Sequence, residues 1–411
     1  MRKTLFLSLA SLALSSLAHA GSFQINLQGI RQTAMGGTGV AMPWDISTIF
    51  FNPAGLSRLN GMEAYGSVFL VSPNVRYVPA NSGATYYEPE KQTSTPFAVY
   101  VGGTLKKMPK LGIGLGVYTP FGSSVNWGDD WAGRYITQSI SLQSFYFQPT
   151  VSYAVHERVS IGAGLVYAIG SVNIHRALPL QFANGNSGQL VLDGKASGWG
   201  FNAGVQVRAT DKLDLGLSFR SGVNMKVENG TATFTVPASV SPLFPSGNTF
   251  NSNLSLPNIT TLGAAYRFTP DFTIQADVVF AGWKAYDSLK FDFAKNTSAV
   301  ADNNSPRLYK NTVAYRLGGH YKINNQFAVM AGGAWDPTPS DDNYVSPDAV
   351  DADRISLSAG LTYEPVRNLN IMAVVNYTTT QERSVSYSPE NFSGKYQIKS
   401  VTPGIGISYK F

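Results

Sequence analysis

An enzyme made from this chain would need a nucleophile beside a base, and the sequence offers few places for one. It holds four His and no Cys. His19 lies near the N-terminus, His156 in a turn pattern, and His175 and His320 in alternating segments. None adjoins a Gly-x-Ser-x-Gly elbow. The lack of Cys removes thiol nucleophiles, disulfides and Cys-ligated metals together. Met35-Gly36-Gly37-Thr38-Gly39 lacks the strand-to-helix setting of a phosphate loop, so its glycines read as packing residues. The chain reads as a non-enzyme with no cofactor and no metal.

Cations are the remaining reactive groups. Lys310, Arg316 and His320 share one parity along a segment whose other face holds Val313, Tyr315 and Leu317. Arg176 has the same inward parity on its own segment. A cation among small residues suits a carboxylate ligand. The alternative is internal pairing with an acid such as Asp45.

The elements that position these groups follow from composition and period. Charged residues make up 14% of the 411 residues, against roughly 25% in soluble chains. Mean hydropathy is only −0.05, so long apolar helices are not the reason. Leu213, Leu215, Leu217 and Phe219 alternate with Asp214, Gly216, Ser218 and Arg220. Leu111, Ile113, Leu115 and Val117 alternate with Gly112, Gly114 and Gly116, and Ile405, Ile407, Tyr409 and Phe411 end the chain in the same way. This period of two predicts strands with one apolar face. About fourteen such segments occur, many reaching the ~9–11 residues of a tilted membrane strand.

Short connections such as His156-Glu157 and Asn324-Asn325 alternate with long ones near 177–189, 228–254 and 337–353. That pattern predicts a transmembrane antiparallel β-barrel of about fourteen strands, all-β, in the outer membrane of a Gram-negative bacterium. Residues 1–20 read as a cleaved signal peptide: Arg2 and Lys3, an apolar stretch, then Ala18-His19-Ala20. Residues 21–60 lack alternation and fit an N-terminal hatch plugging the lumen, leaving 61–411 as the barrel. The net charge of +6 falls by two when Arg2 and Lys3 leave, too mild to suggest nucleic acid.

Several motifs together resemble the FadL/TodX family of outer-membrane transporters for long-chain fatty acids and other hydrophobic compounds. They are Gly21-Ser22-Phe23-Gln24, the Met-Gly-Gly stretch, Asn52-Pro53-Ala54, Ala334-Trp335-Asp336-Pro337-Thr338-Pro339 and Asp351-Ala352-Asp353-Arg354. The resemblance implies a fourteen-stranded barrel with a hatch, acting as a monomer among outer-membrane lipids. It implies passive uptake of a hydrophobic ligand, most simply a long-chain fatty acid. Capture would fall to the long loops, here Leu178, Phe182, Leu243 and Phe244. Phe23, Arg176, Lys310 and Arg316 would meet the ligand inside. Asn52, Pro53 and Ala54 would belong to the moving hatch. Ligand would leave sideways at a kink in the third strand, here Gly112, Gly114, Gly116 and Pro120; the same glycines could instead make room for the hatch. A second family cation is expected near Tyr167, where this chain reads Ala168-Ile169-Gly170-Ser171. That departure keeps aromatic hydrocarbons open as an alternative cargo, with a hydrophilic porin as a second alternative.

Overall fold

The computed structural model describes residues 23–80 and 85–411; the signal-peptide reading, together with Gly21 and Ser22, lies outside the described residues. Twenty-one strand segments join one antiparallel sheet. Seven of these described segments continue a neighbouring strand beyond a break, so the wall has fourteen staves. In chain order these are β1 Met62–Phe69, β2 Phe97–Leu105, β3 Met108–Tyr118, β4 Ser139–His156, β5 Val159–Gln181, β6 Ser187–Arg208 and β7 Leu213–Arg220. They continue as β8 Ile259–Arg267, β9 Phe272–Ala281, β10 Thr312–Lys322, β11 Phe327–Asp336, β12 Arg354–Val366, β13 Leu369–Thr380 and β14 Phe392–Lys410. β1 pairs with β14 from Glu63↔Lys410 to Phe69↔Gly404, which closes the barrel and removes both sheet edges.

The period of two sets the two faces. Ile113, Leu115, Leu215, Leu217, Ile405 and Ile407 stand exposed on the outside, while Gly112, Gly116, Asp214 and Ser218 are buried inside. Exposed Tyr153, Tyr266, Phe268, Tyr321, Tyr409 and Phe411 mark the short-turn end. Exposed Tyr167, Trp199, Tyr315 and Tyr377 lie nearer the other end. Two aromatic belts around an apolar band are what a bilayer selects on a barrel.

Several of the expected long loops are not loops. β5 runs to Gln181 and β6 starts at Ser187, so most of 177–189 is hairpin. Likewise Val223–Thr235 and Asn248–Leu256 extend β7 and β8 through much of 228–254. β14 starts at Phe392, earlier than the alternation near 399 suggests. Outside the bilayer a hairpin can bury one face on its neighbours without an apolar outer face, so its sequence loses the clean alternation.

Candidate functional site

Residues 23–58 lie against the inward side of the wall. They form helix α1 Ile30–Ala34, helix α2 Thr48–Phe51 and a 3₁₀ turn, Pro53–Arg58. Neither helix has an acidic first turn, and both are too short to hold by propensity alone. Their positions come from packing: Ile30, Ala34, Met35, Ile46, Ile49, Ala54 and Leu56 are fully buried. Asn52 is buried too, and it caps the 3₁₀ turn by accepting from Ala54 N at 3.1 Å. Its Nδ2 donates to the carbonyl of Val40 at 2.8 Å and to wall carbonyls Val205 and Leu217 at 3.1 and 3.3 Å. Pro53 packs on Gly162, and Ser152 Oγ donates to the Ala54 carbonyl at 2.9 Å.

The third stave meets this segment through its glycines. A Cβ on Gly112 would stand 2.7 Å from Ser57 N, and one on Gly114 would stand 2.7 Å from Ile49 Cδ1. One on Gly116 would meet Tyr100 at 2.9 Å. Small residues are therefore needed so that the N-terminal segment can pack. The ladder from β3 to β4 is unbroken from Leu111↔Tyr153 to Tyr118↔Tyr146, so no gap lies at the glycines themselves.

The break lies just beyond them. Pairing resumes at Gly122↔Gln143, leaving Thr119, Pro120 and Phe121 opposite only Ser144 and Phe145. Pro120 has no N–H to give a ladder, and one extra residue makes a bulge. The chain's own N-terminal strip completes the hydrogen bonding there. Ile25 N donates to the Pro120 carbonyl at 2.8 Å, Gly122 N donates to the Phe23 carbonyl at 3.1 Å, and Gln24 forms an antiparallel bridge with Phe121.

Two cavities meet at this strip. One of about 800 Å³ is lined by Gly37, Arg316 and Asp336 inside the barrel. It also reaches Phe97 and Phe145, which share the outward parity of Val99 and Val151. A smaller one of about 70 Å³ is lined by Ile140, Ile174, Met225, Leu254 and Phe291 among the extended hairpins. Phe23, Phe121, Leu142, Ser144 and Asp348 line both. The Phe23 ring stands edge-on to Phe121, Trp283 and Tyr286 at 6.2, 5.1 and 5.6 Å.

The expected ligand residues are not brought together as a set. Lys310 was expected to face the lumen; it instead precedes β10, stands 57% exposed, and pairs with Asp341 at 2.7 Å. The parity argument fails because β10 begins only at Thr312. The hydrogen bond from Lys310 holds the Asp341 carboxyl below its usual range. Arg316 does face inward; it donates to the Gly37 carbonyl at 3.1 Å and approaches Asp336 at 3.9 Å. Arg176 is half-buried, with the parity of Ile174, on the part of β5 that continues the hairpin. Leu178 and Phe244 pack against a cluster of Ile174, Leu190, Phe250, Phe291 and Phe293. Leu243 is exposed, and Phe182 sits at the hairpin turn, where its N–H bonds Asn186.

The sequence reading misses three charged side chains that the fold puts to use. Arg220 is buried and donates to Tyr118 Oη at 2.8 Å, Gln148 Oε1 at 3.2 Å and the Phe50 carbonyl at 2.9 Å. Its inward parity beside Asp214 and Ser218 was the available signal. Arg307 and Asp348 form a two-pronged pair at 2.9 and 2.7 Å in the outer loops. Burial pushes the Asp348 carboxyl up, but Arg307 outweighs it and holds the group below the usual range. Residues 307 and 348 lie in irregular loops, so no period could pair them.

An outer-membrane barrel with its lumen occupied by its own N-terminal residues, and with cavities on both sides of that strip, has the architecture of a channel. The chain belongs to the outer membrane protein transport protein (OMPP1/FadL/TodX) family, whose model matches residues 11–411. It is similar to the long-chain fatty acid transport protein of Salmonella typhi, 22% identical over 447 residues and covering 100% of both chains. Among solved structures it shares its fold with a Pseudomonas aeruginosa FadL homologue, at TM-score 0.81 and 18% identity, over 95% of this chain and 100% of that one. It also matches the Pseudomonas putida toluene transporter TodX, at TM-score 0.73 and 17% identity, over 93% of this chain and 98% of that one. The protein is thus an outer-membrane β-barrel of a family that transports hydrophobic compounds.

Proposed function

We propose that this chain is a passive uptake channel that takes a hydrophobic compound from the outer hairpins into the barrel and releases it sideways at the β3 bulge. The observation behind this reading is the shared lining of the two cavities. Ligand held among Ile174, Met225, Leu254 and Phe291 meets Phe23, Phe121, Leu142 and Ser144, which also line the larger cavity. That cavity in turn reaches Phe97 and Phe145 on the lipid side. Apolar burial at about 25 cal/mol per Å² drives each transfer without polar recognition. Residues 21–60 act as the hatch, and Asn52, Pro53 and Ala54 fix it to the wall. Closure of the barrel within one chain supports action as a monomer in outer-membrane lipid.

For the cargo, charge pairing supports an uncharged hydrophobic compound, such as an aromatic hydrocarbon, over a fatty-acid carboxylate. Both cations that line the larger cavity have an acid beside them: Arg316 approaches Asp336 at 3.9 Å and Arg354 meets Asp351 at 2.9 Å. A carboxylate entering this route would have to compete with a resident acid at each one. The name of the Salmonella relative favours the fatty acid instead.

The test is a reversible lock. Gln24 and Phe121 are bridge partners, whose Cα spacing of roughly 4.5–5.5 Å falls within disulfide range. A Gln24→Cys, Phe121→Cys protein has no other thiol to compete. Oxidised, it should insert and fold normally yet take up neither labelled toluene nor labelled oleate; a reductant should restore uptake. Undiminished uptake by the oxidised form would refute the sideways route. Restored uptake of toluene alone would assign the uncharged cargo.

A further inference from the structure

Three guanidinium groups converge on one carboxylate at the short-turn mouth of the barrel. Asp214, at the start of β7, is fully buried. Arg58, at the end of the N-terminal segment, reaches it at 2.8 Å. Arg267, at the end of β8, reaches it at 2.5 Å, and Arg208, at the end of β6, approaches it at 3.8 Å. Three positive charges therefore share one negative charge. The nearby Asp211 carboxylate is 91% exposed and pairs with Arg158 at 3.4 Å, so it does not restore the balance.

Hydrogen bonding in the cluster is incomplete: Asp214 Oδ2 has Arg267 as an ion-pair partner but makes no aligned hydrogen bond. Arg267 spends further donors on Met42 Sδ at 2.9 Å and the Asp211 carbonyl at 3.4 Å. Arg58 Nη1 is buried and has no acceptor among the described residues. The Arg208 side chain is 45% exposed, which opens the cluster to the periplasm. A buried donor without a partner and an excess of like charge are both costly, and an oxyanion relieves both at once.

We propose that Arg58, Arg208 and Arg267 form a periplasm-facing oxyanion site beside Asp214, taking a phosphate or carboxylate group. Because Arg58 belongs to the N-terminal segment and the other two to the wall, the bound anion ties that segment to β6 and β8. The site is independent of which compound the channel carries. The same chemistry has two sources: a soluble periplasmic phosphate, or the head group of an amphiphilic carboxylate.

The experiment uses the full folded protein in non-ionic detergent. Inorganic phosphate replaces chloride at constant ionic strength while the unfolding temperature is followed by heat-modifiable gel mobility. A ligand that binds the folded state raises that temperature in a saturable way. Arg208→Gln keeps the two shorter pairs to Asp214 and so preserves the fold. It should raise the half-saturating phosphate concentration roughly tenfold, the loss expected from one charge-assisted contact. Arg158→Gln, next door but outside the cluster, should leave the curve unchanged. A response that is absent, fails to saturate, or changes equally in both variants would overturn the site. Octanoate and octanol, each below its aggregation threshold, separate the sources. Competition with phosphate by octanoate alone assigns an amphiphile's head group, and no competition by either assigns a soluble anion. Competition by octanol would show that the cluster reads an apolar tail, and the proposal would fall.

Discussion

The ring of Phe23 meets the ring of Trp283 edge-on at 5.1 Å. Trp283 is fully buried in a 3₁₀ turn just beyond β9. The contact therefore joins the N-terminal strip, at a residue that lines both cavities, to the wall just beyond β9.

Phe23→Ala should remove this contact while leaving the barrel folded. Three aromatic contacts are lost, each worth about 0.5–1.5 kcal/mol beyond burial. Uptake of a neutral hydrophobic compound at low concentration should rise several-fold, and Phe23→Trp should lower it. Labelled-ligand uptake in whole cells, with surface levels matched, is the measurement. Equal uptake by all three proteins would mean that Phe23 does not stand in the path.

Asn52 clamps the N-terminal segment through one side chain, and its loss should loosen that segment selectively. Asn52→Ala leaves the Val40 carbonyl without the nearest of its donors and removes the cap on Ala54 N. A loss of about 1–3 kcal/mol is expected. Asn52→Asp should cost more, because a buried carboxylate would face the carbonyls of Val40, Val205 and Leu217. Hydrogen exchange at residues 40–58 should quicken in both variants, while the β1–β14 ladder stays protected. Unchanged exchange at 40–58 would remove the clamp role.

The Arg307–Asp348 pair makes the outer loops acid-sensitive in a defined window. The folded carboxyl titrates below its ordinary value of 3.8, so its stabilisation is complete above that value and is lost as pH falls through the lower folded one. Protease resistance of residues 337–353 should hold from neutrality down to about pH 4 and fail below it. Asp348→Asn should be protease-sensitive already at neutral pH, since breaking a buried pair strands a charge at a cost of about 3–5 kcal/mol. Acid sensitivity that persists unchanged in Asp348→Asn would place the switch elsewhere.

What could be read along the chain and what could not divide on a physical line. Alternation at Leu213 to Arg220 or Ile405 to Phe411 reports which medium each side chain meets, and lipid makes that contrast strong. The fourteen staves and their inward and outward faces were therefore legible, down to the inward Arg316. Outside the bilayer the contrast fades, so the hairpins that extend β5 to β8 looked like loops, and Lys310 was assigned to a strand that begins two residues later.

The sequence by itself determined a closed barrel in an outer membrane, because one face must be apolar and every ladder donor must find a partner. Tertiary structure alone decided the site. The N-terminal strip bonds the bulge at Pro120 because a bulged ladder leaves donors and acceptors that only a distant segment can satisfy. Arg307 finds Asp348, and Arg58 finds Asp214, because buried charges need partners and barrel closure brings those groups within reach. No period in the chain encodes such pairings, since they join residues 41 and 156 positions apart.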